Sequence, residues 1–294
     1  MTQIKLRNHP LWAMLAALVG PAAAFAAGAA AVAILLAPVA PTPPRPVVLD
    51  PSVLQAKAAI LYDPQTHTVL YQKNANVQLP LASLTKLMTA QVVLAVKSLD
   101  TPVQITAADL RPEGDWGFKP GETYTLRELL TFGLAASSND ALAAAAASLG
   151  DNYVEKMNMA AAALGLTKTH FLNPTGLDVT NTVAGAYGSA YDVARMAAAF
   201  YEDHPALFAA TLTNKATILE GNKLMELDST AKPILDVPGV VGAKTGYTDL
   251  AGGNLVAVFD LDVGHPVVAV ALGSTQSGRF TDVKALIEAA RQSQ

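Results

Sequence analysis

Ala82-Ser-Leu-Thr-Lys-Leu-Met-Thr-Ala90 sets a serine, Ser83, three residues ahead of a lysine, Lys86. Around them Leu84, Leu87, Met88, Val92, Ala95 and Val96 recur at three- and four-residue steps. That spacing predicts a helix opened by Ser83. Residues three apart lie on one helical face, so the hydroxyl and the amine converge. A serine hydroxyl is inert until a base removes its proton, and Lys86 is the candidate base. An ordinary lysine has a pKa near 10.4, so about 0.04% is neutral at pH 7. Lowering it to about 7 takes roughly 4.6 kcal/mol. Burial and a neighbouring cation both push that way. Lys244 is the expected cation, and the apolar neighbours of Lys86 argue against its full exposure.

Two further strings follow in order, Ser137-Ser-Asn139 and Lys244-Thr245-Gly246. Each is weak alone. With 11 serines and 13 lysines in 294 residues, chance supplies about half a Ser-x-x-Lys match, about 0.4 of a Ser-x-Asn match and about 0.07 of a Lys-Thr-Gly match. Finding all three in one order by chance is a fraction-of-a-percent event. A second Ser-x-x-Lys, Ser229-Thr-Ala-Lys232, is a decoy, because Pro233 disfavours helix at Lys232. The set reads as an acyl-transfer site that works without histidine. Ser137 is expected to pass a proton to the leaving amine, and Asn139 to bind substrate backbone or steady Lys86. The same turn also suits an N-cap before the alanine-rich helix 140–149. Lys244 and the Thr245 hydroxyl suit a carboxylate. Gly246 removes a side chain where a substrate backbone must approach. The backbone N–H groups of Ser83 and Tyr247 are the expected oxyanion hole.

Composition narrows the alternatives. A net charge of −4 without a basic run argues against a nucleic-acid partner. The absence of cysteine excludes disulfides and thiol chemistry. The five scattered histidines show no zinc-binding spacing. No cofactor or metal is expected. Lys5 and Arg7 precede an uncharged run from Leu11 to Ala40. This is long enough to span a bilayer, although Pro21 and Pro38 interrupt it. Residues 1–40 are therefore expected to form a retained signal-anchor, with cleavage at Ala24-Phe-Ala26 as the alternative. In both cases the rest is exported to the outer, periplasmic face of the cytoplasmic membrane. Residues 41–51, with Pro41-Thr-Pro-Pro-Arg-Pro, read as a stiff spacer, and 52–294 as the folded domain.

Within that domain, runs 58–62 and 69–73 read as strands joined at Asp63-Pro-Gln-Thr. Helices are expected around Leu126–Leu130, ending near Gly133, and over 140–149, 153–164, 190–201 and 281–291. Strands are expected near 240–247, 254–260 and 267–272, the last two turned by Asp262-Val-Gly-His. Strands at both chain ends with helices between predict an α+β domain whose single sheet is built from both termini.

At this length the motifs resemble the low-molecular-weight penicillin-binding proteins, the serine-type D-alanyl-D-alanine carboxypeptidases. The resemblance covers about Val53 to Ala290. It includes Ser138-Asn-Asp-Ala141, Met157-Asn158, His170-Phe-Leu-Asn-Pro-Thr-Gly-Leu-Asp178 and Lys244-Thr-Gly-Tyr-Thr248. It implies a β-lactamase/transpeptidase-like fold with an antiparallel sheet and a helical subdomain. It also implies removal of the terminal D-alanine from peptidoglycan stem peptides through an acyl-serine, and covalent binding of β-lactam antibiotics. By position Ser83 is the nucleophile, Lys86 the general base, Ser137 a proton shuttle and Lys244 a substrate ligand. Arg279, placed before the final helix, resembles a family arginine near the substrate carboxylate. Ser138 stands where glycine is frequent. The family often continues into a β-rich domain with an amphipathic tail. The chain stops at Gln294, so the expectation is a domain without that tail, held to the membrane by its N-terminal segment. The alternatives are a D,D-endopeptidase on crosslinked peptidoglycan, a serine β-lactamase using Glu155 for deacylation, and an inactive wall-binding homologue.

Overall fold

The first and last strand-forming runs of the domain pair with each other. The computed structural model describes residues 45–114, 117–220 and 223–293. Strands β1 (Ala58–Asp63) and β2 (Thr68–Lys73) make the N-terminal hairpin. Helices α1 (Thr85–Leu94), α2 (Leu126–Ala135), α3 (Asn139–Ala147), α4 (Tyr153–Ala163) and α5 (Ala190–Asp203) follow. The chain then returns as β3 (Val240–Thr248), β4 (Gly252–Asp262), β5 (His265–Ser274) and helix α6 (Gly278–Gln292). The five strands lie in the order β3-β4-β5-β1-β2, antiparallel throughout, with Ala58 opposite Leu272. This is the α+β arrangement expected from the sequence.

Strand periodicity divides the core. Ile60 and Tyr62 of β1, Val256 and Val258 of β4, and Val268 and Val270 of β5 face the helices α1–α5. Their neighbours Leu61, Ala257, Phe259, Ala269 and Ala271 face the other way, against α6. Successive side chains point to opposite faces, and here both faces are covered, so these strands read as continuous apolar runs. Helix α6 presents Val283, Leu286, Ile287 and Ala290 to the sheet, the stripe of a one-sided helix. Each fully buried Leu, Ile, Val or Phe contributes about 1.5–3 kcal/mol.

Several boundaries differ from the sequence expectation. Helix α2 runs through Gly133 to Ala135. A Cβ at Gly133 would lie 2.2 Å from Leu142 Cδ2, so this glycine lets α2 and α3 approach and does not end the helix. Helix α6 begins at Gly278, which puts Arg279 in its first turn and not before it. A hairpin of Lys215–Glu220 and Lys223–Asp228 was not expected, although Gly221-Asn222 between two short apolar runs carried the turn signal. Val47, inside the expected spacer, is buried, and its N–H donates to Leu70 O at 2.9 Å. Residues 1–44, the expected leader among them, lie outside the described residues. Among the described residues no helix is long and apolar enough to cross a membrane.

One buried carboxylate ties the chain ends together. Asp282 of α6 accepts from Gln55 N (2.8 Å), Ala56 N (2.9 Å) and Ser274 Oγ (2.6 Å). Asp282→Asn turns an amide N–H towards one of these donors. It is expected to cost about 2–3 kcal/mol, read as a lower urea midpoint with an unchanged slope.

Candidate active site

Helix α1 is buried almost all round. Thr85, Lys86, Leu87, Met88, Thr89, Ala90, Val92 and Val93 are all inaccessible. A helix hydrophobic on every side belongs in the middle of a domain, and this one carries a lysine with it. Ser83 sits just before, in a 3-10 turn over Ala82–Leu84. Ala82 enters that turn at φ +48°, a conformation that costs a residue with a Cβ about 1–3 kcal/mol. The neighbouring loop fits against it. Gly176 has φ +79°, and a Cβ there would meet Ala82 O at 1.9 Å.

Lys86 Nζ has three partners. It lies 2.6 Å from Ser83 Oγ, 2.8 Å from Asn139 Oδ1 and 2.9 Å from Thr175 O. Asn139 Nδ2 donates to Glu113 O at 2.7 Å, which fixes the amide so that its oxygen faces Lys86. An uncharged amine has two hydrogens and one lone pair. Asn139 Oδ1 and Thr175 O only accept, so they take the hydrogens and leave the lone pair facing the Ser83 hydroxyl. Burial lowers the Lys86 pKa from 10.5 to about 7. The expected push from a neighbouring cation falls instead on Lys244. That amine is held well below the ordinary lysine value by burial first, then by the charges of Lys86 and Arg279.

The second and third strings meet in the same place. Lys244 Nζ donates to Ser137 Oγ and to Thr245 O, both at 2.8 Å. Ser137 adopts φ +61°, a conformation that costs a residue with a Cβ about 1–3 kcal/mol. Ser138, fully buried, caps that helix by accepting from Ala141 N at 3.2 Å. The turn therefore caps the helix and also brings Asn139 to Lys86 and Ser137 to Lys244. Thr245 Oγ1 donates to Thr230 Oγ1 at 2.7 Å. Gly246 has a further constraint. A Cβ there would lie 2.9 Å from Leu81 O and 3.2 Å from Ser83 N, so the glycine admits the turn that carries Ser83. The amides of Ser83 and Tyr247 flank this contact. Tyr247 itself is exposed on the rim.

Arg279 is buried, and its guanidinium donates to Gly246 O at 2.7 Å. Burial pulls its pKa down to about 10. Glu155, the deacylating candidate, is exposed on α4, turned away from buried Met157, so the structure gives it no place beside Ser83. Sequence reasoning gave no role to the carbonyl of Thr175, to Thr230, or to Asp178. Asp178 accepts from Thr248 Oγ1 at 3.0 Å and so ties the Thr175 loop to β3. The Asn173-Pro-Thr-Gly176 turn was the visible signal for the first and last of these.

The Ser83 turn, buried Lys86 and the edge strand carrying Lys244 thus come to one place, as the family resemblance implies. The comparisons agree. A family model described as peptidase S11, D-alanyl-D-alanine carboxypeptidase, matches residues 46–276, and the chain belongs to that family. It is 35% identical to D-alanyl-D-alanine carboxypeptidase DacF of Bacillus subtilis over 80% of this chain and 61% of the relative. It is 33% identical to DacB2 of Mycobacterium tuberculosis over 76% of this chain and 77% of the relative. The chain thus spans about three-fifths of the first relative's length. Penicillin-binding protein D2 of Listeria monocytogenes, solved with cefotaxime bound, superposes with a TM-score of 0.71 at 30% identity. That match covers 81% of this chain and 97% of the other.

Gly246→Ala is expected to push β3 off the Ser83 turn. Acylation by a fluorescent penicillin should slow at least about tenfold, with about 1–3 kcal/mol lost in stability. A second test concerns Lys86. Between its folded pKa and the unfolded value near 10.4, the unfolded chain holds the extra proton, so stability rises with pH across that window. Thermal unfolding at pH 7 and pH 9.5 should show a larger gain for the wild type than for Lys86→Met.

Proposed function

We propose that this chain is a serine-type D-Ala-D-Ala carboxypeptidase acting on peptidoglycan stem peptides through an acyl-serine. The observation that carries this is the 2.6 Å approach of buried Lys86 Nζ to Ser83 Oγ. Neutral Lys86 takes the Ser83 proton as Ser83 Oγ attacks the carbonyl of the penultimate D-alanine. The Ser83 and Tyr247 amides receive the oxyanion, the type of term that contributes about 2.7–4 kcal/mol per donor elsewhere. The peptide C–N bond breaks as Ser137, hydrogen-bonded to Lys244, gives its proton to the leaving nitrogen of the terminal D-alanine, and the proton taken by Lys86 is passed on to restore the Ser137 hydroxyl, so that Lys86 is neutral again. Water then attacks the acyl-serine and gives a proton to Lys86, and Lys86 returns it to Ser83 Oγ as the acyl C–O bond breaks, which regenerates Ser83. The terminal carboxylate is received by the Thr245 hydroxyl and the positive field of Lys244 and Arg279. Arg279 acts here mainly by holding the Gly246 carbonyl.

A β-lactam carries an acyl carbon and a carboxylate at comparable positions, and is expected to acylate Ser83. The cefotaxime-bound Listeria relative supports this reading. A D,D-endopeptidase uses the same groups and differs only in the leaving amine; the carboxypeptidase names of both relatives favour the first activity. The uncharged run from Leu11 to Ala40 behind Lys5 and Arg7 supports export to the outer face of the cytoplasmic membrane, anchored by or cleaved from that segment.

Incubating the protein with a stem pentapeptide should release D-alanine, and no release would sink the assignment. Ser83→Ala should abolish labelling by fluorescent penicillin while circular dichroism stays unchanged. Because the base must be neutral, acylation by the labelled penicillin should rise with pH through about 7, the value for Lys86, and level off above it. A rate that is flat between pH 5.5 and 8.5 would move the base role to another group.

A further inference from the structure

The decoy string Ser229-Thr-Ala-Lys232 reaches the site by a different route. Its second residue, Thr230, accepts the hydrogen bond from Thr245 Oγ1 at 2.7 Å. Both hydrogens that Thr230 can donate go to one atom. Its N–H lies 3.0 Å, and its hydroxyl 3.3 Å, from Ala135 O. Ala135 is the last residue of α2, two positions ahead of Ser137. Thr230 therefore links the carboxylate-facing edge of β3 to the loop that carries the proton shuttle.

The segment around it is held firmly. Ser229 N donates to Asn214 O at 3.1 Å, and Ser229 Oγ to Thr211 O at 3.1 Å. Ala231 N donates to Ser229 Oγ at 3.2 Å. Thr211 Oγ1 accepts in turn from Ala243 N of β3 at 3.1 Å. The hydroxyl of Thr230 is thus fixed in position while its hydrogen remains movable. The 3.3 Å bond to Ala135 O is the long member of a shared pair, and that carbonyl keeps the backbone N–H if the hydroxyl turns away.

We infer that Thr230 is a positioning residue that readies the Thr245 hydroxyl for the C-terminal carboxylate of the substrate. This rests on the carboxypeptidase reading given above. In the free site Thr245 donates to Thr230. When a carboxylate arrives, Thr245 turns its hydrogen to the anion and Thr230 turns its own hydrogen to Thr245 Oγ1. The number of protein hydrogen bonds at Thr245 is unchanged, and the donor facing the carboxylate is strengthened by the bond behind it. A substrate ending in an uncharged amide gains much less from this arrangement.

The test compares a stem pentapeptide ending in D-alanyl-D-alanine with the same peptide amidated at its C-terminus. Thr230→Val keeps the shape of the side chain and removes the hydroxyl. It should lower kcat/KM on the acid by about tenfold, mainly through KM, and change the amide by less than about twofold. Thr230→Ser should restore the preference for the acid. Equal losses on both peptides would make Thr230 merely structural and overturn the inference, as would an unchanged or increased preference for the acid. If the valine variant does not fold, Thr230→Ala is read by the same acid-to-amide ratio. Cleavage is read as D-alanine from the acid and D-alaninamide from the amide; failure of the wild type to release D-alanine from the acid refutes the carboxypeptidase reading itself, and is separate from any effect of the variants.

Discussion

Keeping an amine uncharged inside the domain is the constraint from which the rest of the site follows. Lys86 is wholly inaccessible, and a charged lysine there would be heavily penalised for its lost hydration. Burial lowers the pKa of the amine to about 7, and its polar features are satisfied in the uncharged form. Asn139 and the Thr175 carbonyl accept its two hydrogens, and the nucleophile faces its lone pair. The helix that carries it is buried on almost every side, so the burial that packs the domain also lowers the pKa of the amine.

The backbone around that amine is shaped to match. Ala82 and Ser137 both adopt positive φ, and both adjoin site residues. Such conformations persist only where the surroundings leave no alternative. The Gly176 loop closes on one side of the Ser83 turn and Gly246 on the other, each at a distance that admits no Cβ. Asp178 ties that loop to β3, and Thr230 ties β3 to the end of α2. Ser83, Lys86, Ser137 and Lys244 come from separate parts of the chain, but these contacts lock them to one sheet.

Two buried amines, Lys86 and Lys244, and the buried guanidinium of Arg279 lie within electrostatic reach of one another. Lys244 feels both other cations. Burial favours the uncharged form of both amines, and this repulsion adds to it at Lys244.

By itself the sequence determined the order of elements, the sheet built from both chain ends, and the three strings that meet at the site. These depend on local periodicity and on residue types that have few other uses in that order. It also showed, through Leu84, Leu87 and Met88, that Lys86 would be drawn inward. Only the tertiary structure decided what the strings touch. It assigned Gly246 to the nucleophile's turn and Gly133 to helix packing, because a missing Cβ has meaning only against the atom that would have met it. It placed Lys244 against Ser137 and the Thr175 carbonyl against Lys86, since backbone acceptors leave no mark on the sequence. Thr230, discarded with a motif broken by Pro233, enters the site because folding brings residues 135, 230 and 245 together, and no pattern along the chain encodes that distance.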